Sequence, residues 1–194
     1  MRWSKASTLL LVWSTVWLPG CGALTQEHRV AVLDPFWTRS EAAQVQLLQA
    51  LQEDPLALRW GSLSPSVVRH LEEAIRLDPA YHAAHYGLAL CYCFQRQLEK
   101  ALAEARRAVA LEPDLPEGHL LLGGIYEMRG WLRRAVREYQ RAVALRPTAV
   151  AHYQLGRAWR LLGNHDAALR EYRRALALEE LPVVRLEVAL LLLQ

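Results

Sequence analysis

The sequence predicts an all-α fold, and three observations carry the prediction. Alanine recurs at intervals of 33 or 34 residues, at Ala74, Ala108, Ala142 and Ala175. Proline follows the same interval at Pro79, Pro113 and Pro147, where a missing backbone donor would end a helix. Between these markers apolar residues keep helical spacing, as in Ala135, Val136, Tyr139, Ala142 and Val143. With 53% hydrophobic and 22% charged residues over 194 positions, the composition is that of a globular chain.

The elements can be taken in order. Arg2 and Lys5 precede an apolar run at residues 6–18, broken only by small hydroxyl residues. As a helix that run would rise roughly 20 Å, short of a hydrocarbon core of about 30 Å. It is therefore expected to be a signal-peptide core rather than a membrane span. The run ends in Leu18-Pro19-Gly20-Cys21, which resembles the lipobox of bacterial lipoproteins, although proline is unusual at the middle position. The resemblance implies a signal peptide at residues 1–20 and lipidation of Cys21, whose thiol would take up a diacylglyceryl group. It also implies a location in the bacterial cell envelope, at the outer membrane facing the periplasm. Losing the leader removes Arg2 and Lys5 from the 23 basic residues set against 20 acidic ones, leaving a net charge near +1. Bulk charge so small gives no reason to expect nucleic-acid binding.

Residues 21–37 lack periodicity and are expected to be a lipidated tether. Residues 38–79 are expected to form a degenerate helix pair. Its first helix would start at a capping box of Thr38 and Glu41, and its second at Ser64-Pro65, across a long link. Three fuller units follow at residues 80–113, 114–147 and 148–180. Gly130 and Gly163 fall where a first helix must stop, because glycine accepts left-handed dihedrals. Alanines recur where two helices cross closely, and Gly123 and Gly156 sit at similar approaches. Pro182 begins a last helix within residues 181–194, as a capping half-repeat. Its run Leu190 to Leu193 is unusually apolar for a cap, so the same helix suits self-association or a partner helix.

Leu122-Gly123-Gly124-Ile125-Tyr126 with Ala135, Tyr139, Ala142 and Pro147 resembles the tetratricopeptide repeat, a helix-turn-helix unit of 34 residues. Leu155-Gly156-Arg157-Ala158-Trp159 with Ala168, Tyr172 and Ala175 matches the pattern equally well. The resemblance implies a right-handed α-solenoid with its first helices on the concave side. It places Tyr86, Leu90, Cys93 and Phe94 of the first full unit in the groove. It adds Glu117, Leu120, Gly124, Glu127 and Met128 of the second, and Val150, Tyr153, Arg157, Arg160 and Leu161 of the third. Tyr86, Leu90 and Leu161 would fit the core equally well. Such a groove would take a peptide or helix with apolar anchors and both signs of charge.

The outward helices carry Arg106, Arg107, Arg133, Arg134, Arg137, Arg141, Arg170, Arg173 and Arg174. They are expected to form a solvated face partly balanced by Glu104, Glu138 and Glu171, the alternative being contact with anionic headgroups. His85, His119 and His152 recur at one repeat position, too far apart to converge on one metal ion. They are expected to fill the slot that is often tryptophan in the family, and their protonation to loosen the stack in acid. Cys91 and Cys93 lie about 200° apart around a helix and cannot bridge each other. Cys91 is expected to be buried, and Cys93 to present a thiol to the groove.

No catalytic triad order, glycine-rich phosphate loop or carboxylate pair can be picked out, so neither catalysis nor a cofactor is expected. The expected function is a membrane-anchored adaptor or scaffold whose concave face binds a partner protein or peptide. The alternatives are an assembly factor of an envelope machine, such as a pilus or outer-membrane complex, and a localiser of cell-wall hydrolases.

Overall fold

A computed structural model describes residues 41–53 and 65–193. The signal segment, Cys21, the tether, Thr38 and Ser64 lie outside the described residues. Those described hold nine helices and no strand: α1 (Glu41–Glu53), α2 (Pro65–Leu77), α3 (His82–Phe94), α4 (Leu98–Leu111), α5 (Pro116–Met128), α6 (Leu132–Leu145), α7 (Ala149–Leu161), α8 (His165–Leu178) and α9 (Pro182–Leu192). Contacts run between successive helices, and the first helices α3, α5 and α7 also touch in sequence. Each unit thus leans only on its neighbours, which is the arrangement of a solenoid rather than a closed bundle.

Three features of the sequence recur at the hairpins. At the crossing, Ala101, Ala135 and Ala168 are fully buried. A Cβ on Gly123 would lie 2.6 Å from the Tyr139 ring, and one on Gly156 would lie 2.6 Å from the Tyr172 ring. At the turn, Gly130 and Gly163 have φ of +74° and +78°. Their amides donate to the carbonyls of Glu127 and Arg160, and the next amides reach back to Tyr126 and Trp159. This double bond pattern satisfies the helix-end carbonyls. Arg96 occupies the same place in the first full unit at φ 60°, with amides 96 and 97 donating to Cys93 and Tyr92. At the next start, Thr148 and Asn164 side chains accept from the amides of Ala151 and Ala167, both at 3.1 Å, while α5 and α9 open on proline.

A polar tie runs through each unit. His85, His119 and His152 are buried near the start of the first helix. Their Nδ1 atoms meet carboxylates of Glu104, Glu138 and Glu171 on the second helix at 2.6, 2.9 and 2.7 Å. Nε2 of His85 and of His119 faces the carbonyl of Pro79 and of Pro113, at 3.2 and 2.9 Å. At His119 both partners are acceptors, and only the doubly protonated ring donates to both. Burial works against that charge, but the bonds to Glu138 and Pro113 outweigh it, together with opposition from Arg141, and hold the pKa above its ordinary value. Protonation therefore tightens the stack at this unit, contrary to the loosening expected from sequence. The three glutamates, expected to balance the arginine face, are turned to the imidazoles instead. Only Glu171 also holds an arginine, Arg174, at 2.7 Å.

Helix α9 buries Val184 and Leu191 with Tyr172 and Ala175 of α8. Its far side leaves Leu186, Leu190, Leu192 and Leu193 exposed. The helix covers the third full unit while itself remaining half-covered.

Two outcomes are expected. Arg96→Gly relieves a left-handed side chain and should stabilise the fold by about 1 kcal/mol, raising the melting temperature by roughly 2–4 °C. The His119 pKa is raised above the ordinary histidine value of 6.5. Its contribution is therefore complete below that value and is lost as pH rises through the folded pKa. Melting should occur at higher temperature at pH 6 than at pH 8, and His119→Phe should shrink the difference. An undiminished difference would assign it to other groups.

Candidate partner-binding surface

Repeat positions on α3, α5 and α7 line one side of the solenoid. Leu90, Phe94, Leu120, Met128 and Tyr153 are partly buried there, and Leu161 is 45% exposed. Phe94, Met128 and Leu161 occupy equivalent positions in the three units and form an apolar row.

Four residues expected in the groove, Tyr86, Cys93, Glu117 and Val150, are buried instead. Tyr86 and Cys93 share a buried cluster with Leu121, Leu122 and Ile125, because the next first helix leans on theirs. Cys93 therefore offers no exposed thiol. Cys91 is buried as well, and burial pushes its pKa up to about 12. Glu117 is 1% exposed and paired with Arg146, from the turn after α6. Val150 is also buried, and Gly124 partly so.

The charges expected to meet a guest meet each other. Arg157 pairs with Glu127 of the preceding unit at 2.8 Å, both side chains less than one-fifth exposed. Burial opposes the charge on Arg157, yet Glu127, Tyr139 and Tyr153 more than compensate and raise its pKa. Arg160 pairs with Glu187 of α9 at 3.1 Å. These pairs cross from one unit to the next, so they fix the stacking register and leave little free charge on this side.

Sequence reasoning missed what the second helices contribute. The Tyr139 hydroxyl donates to Glu127 at 3.2 Å, reaching it past Gly123. Tyr172 lies against Gly156 in the same way, and its ring stacks on Tyr153 with centroids 6.0 Å apart. The signal was present as a glycine on one helix matched to a tyrosine on the other, in two successive units. Elsewhere, among the described residues no group of His, Cys, Asp and Glu could hold a metal ion.

The profile of the tetratricopeptide repeat matches residues 67–125 and, separately, residues 149–181. The chain carries tetratricopeptide repeats over both stretches. Among solved structures, it is similar to a thermophilic tetratricopeptide repeat protein of Thermus thermophilus. That match has 27% identity and a TM-score of 0.62, covering 78% of this chain and 82% of the other. PilF of Pseudomonas aeruginosa matches at 22% identity and TM-score 0.70, over 79% of this chain and 70% of its own. MamA of Desulfovibrio magneticus RS-1 matches at 17% identity and TM-score 0.69, over 80% and 86%. The last two likenesses establish the fold alone. No curated sequence matches the chain. In tetratricopeptide repeat proteins generally, the stacked helices serve protein–protein interaction.

A double-mutant cycle tests the role of the inter-repeat pair. Arg157→Met leaves the Glu127 carboxylate uncompensated and should cost about 3 kcal/mol, the lower bound for breaking a fully buried pair. Adding Glu127→Leu should recover most of the loss in thermal melts. Additive losses would mean that the two side chains do not act on each other.

Proposed function

We propose that this tetratricopeptide repeat protein is a non-enzymatic adaptor, tethered to a bacterial envelope membrane through lipidated Cys21, that holds a partner protein along its first-helix side. The observation that carries the proposal is the row of Phe94, Met128 and Leu161, one partly open apolar side chain per unit on a single surface. With the nearby charges already paired, the guest is an extended segment or helix bearing apolar anchors at matching intervals. Its charge pattern contributes less than the sequence alone implied. The lipobox-like ending at Cys21 supports the tether and a location at the outer membrane facing the periplasm. The uncovered side of α9 offers a second surface, suited to self-association.

The test is a crosslinking pull-down from membranes with the intact lipoprotein as bait. Met128→Glu together with Leu161→Glu should keep the melting temperature within a few degrees and remove the captured partner. Each lost apolar anchor is worth about tenfold or more in affinity. Capture at wild-type level by the folded double variant would overturn the groove assignment. Cys21→Ser should abolish lipid labelling and release the protein from membranes, and continued labelling would overturn the tether.

A further inference from the structure

The outer faces of α4, α6 and α8 carry arginine at equivalent positions. Arg107, Arg141 and Arg174 recur once per unit, and Arg137 and Arg170 lie one turn earlier on α6 and α8. All five are exposed. Among the described residues only Arg174 of these makes an ion pair. The three glutamates on the same helices are turned inward to His85, His119 and His152. What looked from sequence like a balanced, solvated face is therefore a ladder of guanidiniums whose neighbouring acids are already engaged.

The residue that caps the start of α6 is aromatic. Trp131, Arg134, Arg137 and Arg141 follow one another at helical spacing. Trp131 is 37% exposed, and the Arg129 and Arg134 guanidiniums lie 4.0 and 4.6 Å from its ring centroid. An open cleft of about 560 Å³ beside it is lined by Trp131, Arg133, Arg134 and Leu162.

We propose that this arginine ladder, with Trp131 at its end, is a docking surface for anionic phospholipid headgroups. Charge complementarity selects an anionic occupant, and two features select a lipid surface over a nucleic acid. The π surface of Trp131 is taken up by its own guanidiniums, so it does not offer the open platform on which bases stack. An indole about one-third exposed, with Arg134 and the Glu99-paired Arg129 over its ring, is instead the combination that settles at headgroup level. Long arginine side chains reach a flat surface without the helices entering it. Docked this way, the protein would lie on its second helices and turn the first-helix side toward the partner. The proposal does not depend on lipidation, because it concerns the part of membrane affinity that follows headgroup charge.

The test uses the full chain and vesicles of phosphatidylcholine, with or without phosphatidylglycerol, in a flotation assay. Binding to neutral vesicles reports the leader or acyl chains, and the gain on adding phosphatidylglycerol reports the ladder. The expected result is a clear gain at low ionic strength that shrinks as salt is raised. Arg137→Gln, Arg141→Gln and Arg170→Gln together should reduce the gain about 100-fold, at about fivefold per charge. Lysine at the same three positions should restore it, and Trp131→Ala should reduce it further. No gain for the wild type, or an undiminished gain for the glutamine variant, would overturn the proposal. So would tighter binding to a DNA duplex than to anionic vesicles under the same salt. Failure of the lipid tether would appear separately, as loss of neutral-vesicle binding with the charge-dependent gain intact.

Discussion

Everything in this solenoid depends on how closely two helices of one unit can approach. Ala101, Ala135 and Ala168 are completely buried at the crossings, and Gly123 and Gly156 accept a tyrosine ring where even a methyl group would collide. Close approach brings the second-helix side chain through to the first-helix side. It also sets the spacing at which the next unit must lean. A larger residue at these points would force the helices apart, at a cost of about 1–3 kcal/mol per site.

The buried polar groups are arranged around that approach. Within a unit, an imidazole near the start of the first helix meets a carboxylate of the second. At His85 and His119 it also meets the carbonyl that closes the preceding unit. Between units, Glu127 with Arg157 and Arg160 with Glu187 span the joint. Apolar packing alone would tolerate some sliding of one helix pair past the next. A paired charge that loses its partner on sliding penalises every register but one.

The same pairing sorts the two sides of the molecule. On the first-helix side the charges are spent on one another, and the row of Phe94, Met128 and Leu161 is left to offer apolar contact. On the second-helix side the glutamates are drawn inward, and of the arginines at Arg107, Arg137, Arg141, Arg170 and Arg174 only Arg174 keeps an acid partner among the described residues. A chain with a net charge of only +3 thus acquires one largely apolar face and one strongly basic face.

The sequence by itself determined the helical class, the interval of the repeat and the crossing residues. These depend on side-chain size and backbone preference, which each residue carries with it. Gly130 and Gly163 announced the turns, but Arg96 did not, since its left-handed φ is imposed by the same turn geometry without the residue that favours it. The groove was legible as a set of positions and not as a set of available side chains. Tyr86, Cys93 and Glu117 share the spacing of the open residues and are nevertheless covered by the neighbouring unit. Which glutamate serves a histidine and which arginine serves a glutamate was likewise decided only in three dimensions. His85 and Glu104 are 19 positions apart, and Glu127 and Arg157 belong to different units. Pairing depends on the distance and dielectric that the packed helices create, and neither quantity exists until they pack.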